Sequence, residues 1–176
     1  MATNLEFIKS VTISSATNLD VTNVFSDKYD VYKVVLSQAY LDSTGSVGGK
    51  RQQDLRFFDS GGTIISASEY DYAELDIRSE ASFVEVRNTG QTLIETLIQI
   101  DNSPKSGGGI FYIYNPYDSS SYTFITFQSA GQTDTPNLRG YKGIAVHKSA
   151  EQLSGFRLFN ASAVNWNGQV SVYGVK

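Results

Sequence analysis

The 176-residue chain has no cysteine, which excludes disulfides, thiolate metal sites and cysteine nucleophiles. Proline occurs 3 times, and there is 1 histidine, 1 tryptophan and 1 methionine. Charged residues make up only 18%, with a net charge of −4 and a pI near 4.9. Such a chain lacks the basic stripe that phosphate neutralisation requires, so nucleic acid is not an expected partner. No apolar run approaches the roughly 20 residues of a membrane helix. The opening MATNLEFIKS also lacks the basic-then-apolar order of a signal peptide. These absences read as a soluble protein made and folded in the cytoplasm, without membrane contact.

The chain is rich instead in aromatic residues and turn formers, with 11 Tyr, 10 Phe and 15 Gly. Aromatics favour strands and bury much area per residue, and glycine serves tight turns. At this length and 40% hydrophobic content, one globular domain with its own core is expected. The segment YDVYKVVLSQAY, residues 29–40, reads as a central strand. Its alternation groups Tyr32, Val34, Leu36, Gln38 and Tyr40 on one face and Val31, Lys33, Val35 and Ala39 on the other. Further strands are expected at Leu55–Phe58, Phe83–Arg87, Ile94–Ile100, Ile110–Tyr114, Tyr122–Phe127, Ile144–Lys148, Gly155–Phe159 and Gln169–Val175. A turn at Asp59–Gly62 makes a hairpin to Thr63–Ile65.

Residues 66–75, SASEYDYAEL, carry helix-compatible Ala, Glu and Leu and read as one short helical turn. The expected fold is therefore all-β, an antiparallel β-sandwich of jelly-roll type, with about ten short strands and at most one short helix. Residues 1–25 are expected to form an N-terminal arm or first strand with a polar loop, and 26–176 the sandwich. Leu5, Phe7, Val11 and Ile13 fall at strand spacing in the arm and are candidate anchoring residues.

No constellation announces a chemistry. The glycine-rich stretch at 45–49, part of a polar hairpin connection, ends in Gly49-Lys50-Arg51 and fails the phosphate-loop spacing. His147 alternates with Ile144 and Val146 on an expected strand, which places it facing solvent. A lone histidine without cysteine would need carboxylates to complete a zinc site. Glu69, Asp71, Glu74 and Asp76 cluster in the chain but match no Ca²⁺ loop and read as a solvated acidic turn. As a glycosidase pair, two carboxylates would have to face each other across roughly 5–9.5 Å of a cleft. Trp166, Tyr117, Tyr122 and Tyr141 lie in or beside expected loops and are candidates for a glycan or partner platform. The bland alternative for Trp166 is a plug at one end of the sandwich. Gly107-Gly108-Gly109 and Ser119-Ser120-Ser121 have linker composition. The residues name no catalytic group, cofactor or metal ligand set.

Four segments together resemble a known group: SDKYDVYKVVLS at 26–37, LRFFDSGGTIISASEYDYA at 55–73, FYIYNP at 111–116 and GFRLFNASAVNWNGQVSVYGVK from 155. They are similar to small β-sandwich virion proteins of tailed bacteriophages, marine and cyanobacterial ones especially. In those proteins a strand with Tyr-Asp-x-Tyr follows an N-terminal arm and the chain closes on Tyr-Gly-x-Lys, here Tyr173-Gly174-Val175-Lys176. The resemblance implies a non-enzymatic structural protein that is assembled in the host cytoplasm and resides in the virion. Its implied partners are the major capsid protein or tail and fibre proteins, and it implies a homo-oligomer, often a trimer. Capsid decoration through the N-terminal arm is the expected role. A receptor- or glycan-binding module of a tail fibre or tail tip is the alternative.

Overall fold

The computed structural model describes residues 4–42, 52–102, 107–132 and 137–176. The connection read at 45–49 lies outside the described residues, as do 103–106 and 133–136, within stretches whose composition, DNSPKSGGG at 101–109 and GQTDTPN at 131–137, reads as loop. Twelve strands are present: β1 (Leu5–Ala16), β2 (Asn18–Val21), β3 (Val31–Leu41), β4 (Gln52–Asp59), β5 (Tyr70–Arg78), β6 (Val84–Gln91), β7 (Ile94–Gln99), β8 (Gly107–Tyr114), β9 (Thr123–Gln132), β10 (Leu138–His147), β11 (Leu153–Phe159) and β12 (Trp166–Val175). The described residues contain no helix. The short helix expected at 66–75 is replaced by β5, whose antiparallel ladders to β10 and β6 outweigh a weak local helix preference.

The fold is an antiparallel sandwich of two sheets, ordered β1-β12-β3-β8-β9-β10-β5-β6 and β2-β11-β4-β7. The quartet β1-β12-β3-β8 lies in one sheet and β2-β11-β4-β7 in the other. The steps β1 to β2, β2 to β3, β3 to β4, β7 to β8 and β11 to β12 all cross between them, which is jelly-roll connectivity. Two antiparallel pairs, β5–β6 and β9–β10, are added beside β8. They widen one sheet to eight strands while the other stays at four.

β3 occupies the place expected of a central strand, paired with β12 on one side and β8 on the other. Tyr32, Val34 and Leu36 point into the sandwich as their alternation requires. A register shift between Leu36 and Ala39, with Gln38 at φ 52, then inverts the parity. Ala39 and Leu41 are buried instead of Gln38 and Tyr40. The core between the sheets includes Phe57, Phe111, Phe156, Leu55, Leu97 and Ile98, each burial contributing roughly 2–3 kcal/mol.

Of the arm and first-strand readings of the N-terminal segment, a first strand built into this body is what is present. β1 pairs with β12 from Leu5↔Val175 to Ala16↔Trp166, and β2 pairs with β11. Ile13, Leu19, Val21, Val24 and Phe25 are core residues. The Tyr-Asp-x-Tyr and Tyr-Gly-x-Lys segments meet here. Tyr29 of the Tyr-Asp-x-Tyr stretch lies over Gly174 so closely that a Cβ at 174 would sit 2.5 Å from its ring. Glycine is required there because a ring occupies the space a side chain would take. Gly107 and Gly108 are likewise sheet positions in β8, not a linker, with neighbouring backbone oxygens 2.7 Å from where a Cβ would be.

Candidate functional site

The ladder registers bring the outward side chains of the eight-stranded sheet into rows. One row runs Leu5, Val175, Val31, Tyr114, Phe124, Val146 and Asp71; the next runs Phe7, Tyr173, Lys33, Tyr112, Thr126, Ile144, Ala73 and Arg87. A third row is more polar: Ser10, Ser171, Val35, Ile110, Gln128, Lys142, Leu75 and Glu85. Leu5, Phe7, Ile110, Phe124 and Ile144 stand 38–61% exposed. Phe7 meets Tyr173 edge-on at 5.7 Å, and the Tyr114 hydroxyl lies 3.2 Å from Thr126 Oγ1. An open groove of about 1320 Å³ on this face is lined by Tyr112, Ile110, Thr126, Ile144, Lys142, Arg87 and Glu85 among others.

The outward face of the four-stranded sheet is built differently. Asp20, Arg157 and Arg56 lie side by side across β2, β11 and β4, and Arg157 donates to both Asp20 carboxylate oxygens at 2.5 and 2.7 Å. That is an ordinary solvated surface. A contiguous apolar and aromatic sheet face is the informative one, because such patches mark contact surfaces. Chemically it offers flat rings, aliphatic area and a few donors and acceptors at its edge, which suits non-covalent docking.

The candidate aromatic platform does not assemble. Trp166 is fully buried at the start of β12 and its indole N–H donates to Thr17 O at 3.1 Å, so it is the plug of its alternative reading. Tyr141 is buried on the inner side of β10, and burial raises its hydroxyl pKa. Tyr117 packs against the core and Tyr122 stands exposed. Of the four anchoring candidates, Ile13 is core and Val11 packs against it, whereas Leu5 and Phe7 lie on the outer face described above. Asp118 accepts hydrogen bonds from Ser120 N and Oγ at 2.8 and 2.7 Å, so the serine run at 119–121 forms part of an ordered turn.

The acidic cluster is not a solvated turn. Tyr70, Tyr72, Glu74 and Asp76 alternate inward along β5 and all four are buried, while Asp71 faces outward and pairs with Lys148 Nζ at 2.8 Å. Asp76 accepts from Arg78 Nε and Nη2 at 2.8 and 2.6 Å and from Arg139 Nη1 at 3.3 Å. The Tyr72 hydroxyl donates to Glu95 at 3.0 Å and accepts from Asn88 at 2.8 Å. Glu74 Oε2 carries no hydrogen bond. Burial, then the charges of Asp76, Glu95 and Asp54, push its carboxyl up to about 8. This polar layer lies under the added strands, where β7 at the edge of the narrower sheet provides the facing contacts.

His147 is also inward, and fully buried, contrary to its expected exposure. The parity is inverted because Ile144 and Val146, which look like core residues, belong to the apolar outer face. Its Nε2 lies 3.2 Å from Glu69 Oε2 and 3.7 Å from Glu151 Oε1.

No family model matches the chain, and no curated protein matches it. Among solved structures it is similar to the marine PL-14 alginate lyase from Aplysia kurodai, at 9% identity and TM-score 0.44, covering 94% of this chain and 82% of that one. It is also similar to the Bacillus endospore appendages described as a family of disulfide-linked pili, at 11% identity and TM-score 0.28, covering 97% and 88%. At TM-scores below 0.5 neither likeness bears on what this chain does.

Proposed function

We propose that the chain is a non-enzymatic structural protein of a tailed-phage virion, decorating or stabilising the capsid, and that it seats on a neighbouring virion protein through the outer face of its eight-stranded sheet. The observation that carries this reading is the pair of apolar and aromatic rows spanning that sheet. The resemblance of the Tyr-Asp-x-Tyr and Tyr-Gly-x-Lys segments to virion proteins supports it. In this reading Leu5 and Phe7 act as contact residues at the sheet edge, and the rest of β1 serves the fold. Self-association, as a trimer or otherwise, and residence in particles assembled in the host cytoplasm belong to the same proposal.

A second reading, a receptor- or glycan-binding module at a tail or fibre tip, is favoured by one observation. The groove combines the Tyr112 ring with Lys142, Arg87, Gln128 and Thr126, and flat rings with nearby polar groups suit a sugar chain. Quantitative mass spectrometry of purified particles tests both. A copy number comparable to the major capsid protein, or a simple fraction of it, supports decoration. A count in the tens or fewer supports the tail or fibre reading. Absence from the particle overturns the virion assignment.

A further inference from the structure

We propose that Glu69, His147 and Glu151 form a binding site for a divalent transition-metal ion of the zinc type, with His147 Nε2 and one oxygen of each carboxylate as ligands. The site is independent of the outer face and of the virion reading.

The backbone assembles it. His147 ends β10 opposite Tyr70 of β5, and Lys148 N donates to Glu69 O at 2.8 Å, fixing Glu69 beside the histidine. Phe57 and Tyr70 pack on the imidazole at 6.0 and 5.1 Å between centroids, so the ring has little freedom. Glu151 lies four residues on, and the three candidate ligand atoms all fall within 4.8 Å of one another. A tetrahedral zinc ion with ligands at about 2.0–2.1 Å requires them roughly 3.3–3.4 Å apart. The two distances from Nε2, 3.2 and 3.7 Å, are already close to that. The remaining approach falls to carboxylates that are 37% and 33% exposed. Their exposure leaves a fourth position for water.

Two buried groups beside the cluster have no hydrogen-bond partner. His147 Nδ1 has no hydrogen-bond partner, and neither has the fully buried Thr123 Oγ1, although Thr123 stands directly across the β9–β10 ladder from His147. If the imidazole donates from Nε2 to Glu69, the Nδ1 lone pair is orphaned; if it is an imidazolium, an Nδ1–H is orphaned. Coordination at Nε2 would fix the single ring proton on Nδ1, and Thr123, across the ladder but not hydrogen-bonded to the ring, is the side chain placed to become its acceptor on metal binding. One nitrogen and two carboxylate oxygens select zinc-like ions over Ca²⁺ or Mg²⁺, which take oxygen ligands. The neighbouring cation, Lys148, is drawn to Asp71 and does not compete for the cluster.

The test is calorimetric titration of the metal-stripped full chain with Zn²⁺ alone, in a buffer that does not chelate. One saturable site per chain is expected, with thermal stabilisation of roughly 5–10 °C at zinc about a hundredfold above its Kd. His147→Gln and Glu151→Gln should each weaken binding by about tenfold or more, and Glu85→Gln on the outer face should leave it unchanged. Because Glu151 is partly exposed, its variant reads the site even if the His147 variant fails to fold. No saturable heat up to about 1 mM Zn²⁺, or an unchanged affinity in Glu151→Gln, overturns the proposal.

Discussion

Glu74 should make the protein less stable as pH rises, and Glu74→Gln should remove that dependence. Only 7% exposed on the inner face of β5, its carboxyl is raised from 4.5 to about 8 by burial and by the charges of Asp76, Glu95 and Asp54. Below the unfolded value both states hold the proton and nothing is lost. Between the two values the unfolded chain ionises while the folded one holds its proton, so folding loses about 1.4 kcal/mol per pH unit. Above the folded value the loss levels off. The accumulated cost is about 3 kcal/mol at pH 7 and about 5 kcal/mol above pH 8. A neutral amide of the same shape avoids it. Urea unfolding of wild type and Glu74→Gln at pH 5, 7 and 8.5 should give a stability gap of about 1, 3 and 5 kcal/mol in favour of the variant. The comparison cancels carboxylates whose pKa is lowered, such as Glu6, held to about 2 by Lys28, Tyr29 and Lys176. A gap that does not change with pH would refute the assignment of a protonated Glu74.

Three further outcomes follow from packing. Trp166→Ala should cost about 3–5 kcal/mol and lower Tm by on the order of 10 °C, read by calorimetry, because the ring is wholly buried and its N–H holds Thr17 O. Gly174→Ala should cost about 1–3 kcal/mol through overlap with Tyr29, and a double-mutant cycle with Tyr29→Ala should show the two costs to be strongly non-additive. Ile144→Ser should change denaturant stability by less than about 0.5 kcal/mol, since this side chain is 61% exposed, while abolishing incorporation into particles.

Much of the architecture was legible because strand alternation is a local signal. The β3 stretch, the Asp59–Gly62 turn with Gly62 N donating to Asp59 O at 3.0 Å, and the all-β class follow from it. The misreadings share a cause. Apolar alternation says that two faces differ, not which of them is inside. On β10 the more apolar set, Ile144 and Val146, faces outward, and Ala145 and His147 face the core. On β5 the period-two series Tyr70, Tyr72, Glu74, Asp76 was present, but carboxylates on an inner face break the rule that buried positions are apolar. Apart from Arg78, two positions on, the partners of this layer arrive from β10, β6 and β7. The Glu69–His147–Glu151 cluster was illegible for the same reason, since Glu69 and His147 stand 78 positions apart. Trp166, an aromatic beside an expected loop, gave no local sign that Thr17 would accept its N–H across 149 positions.

The central claim is that the outer face of the eight-stranded sheet is the contact surface. Its most direct test is site-specific photo-crosslinking in assembled particles, with the reactive group at Ile144 on that face or at Arg157 on the opposite sheet. A specific adduct to a neighbouring virion protein from position 144 and none from 157 is the expected result. Adducts from 157 alone, or none from 144 in particles that contain the protein, would contradict it.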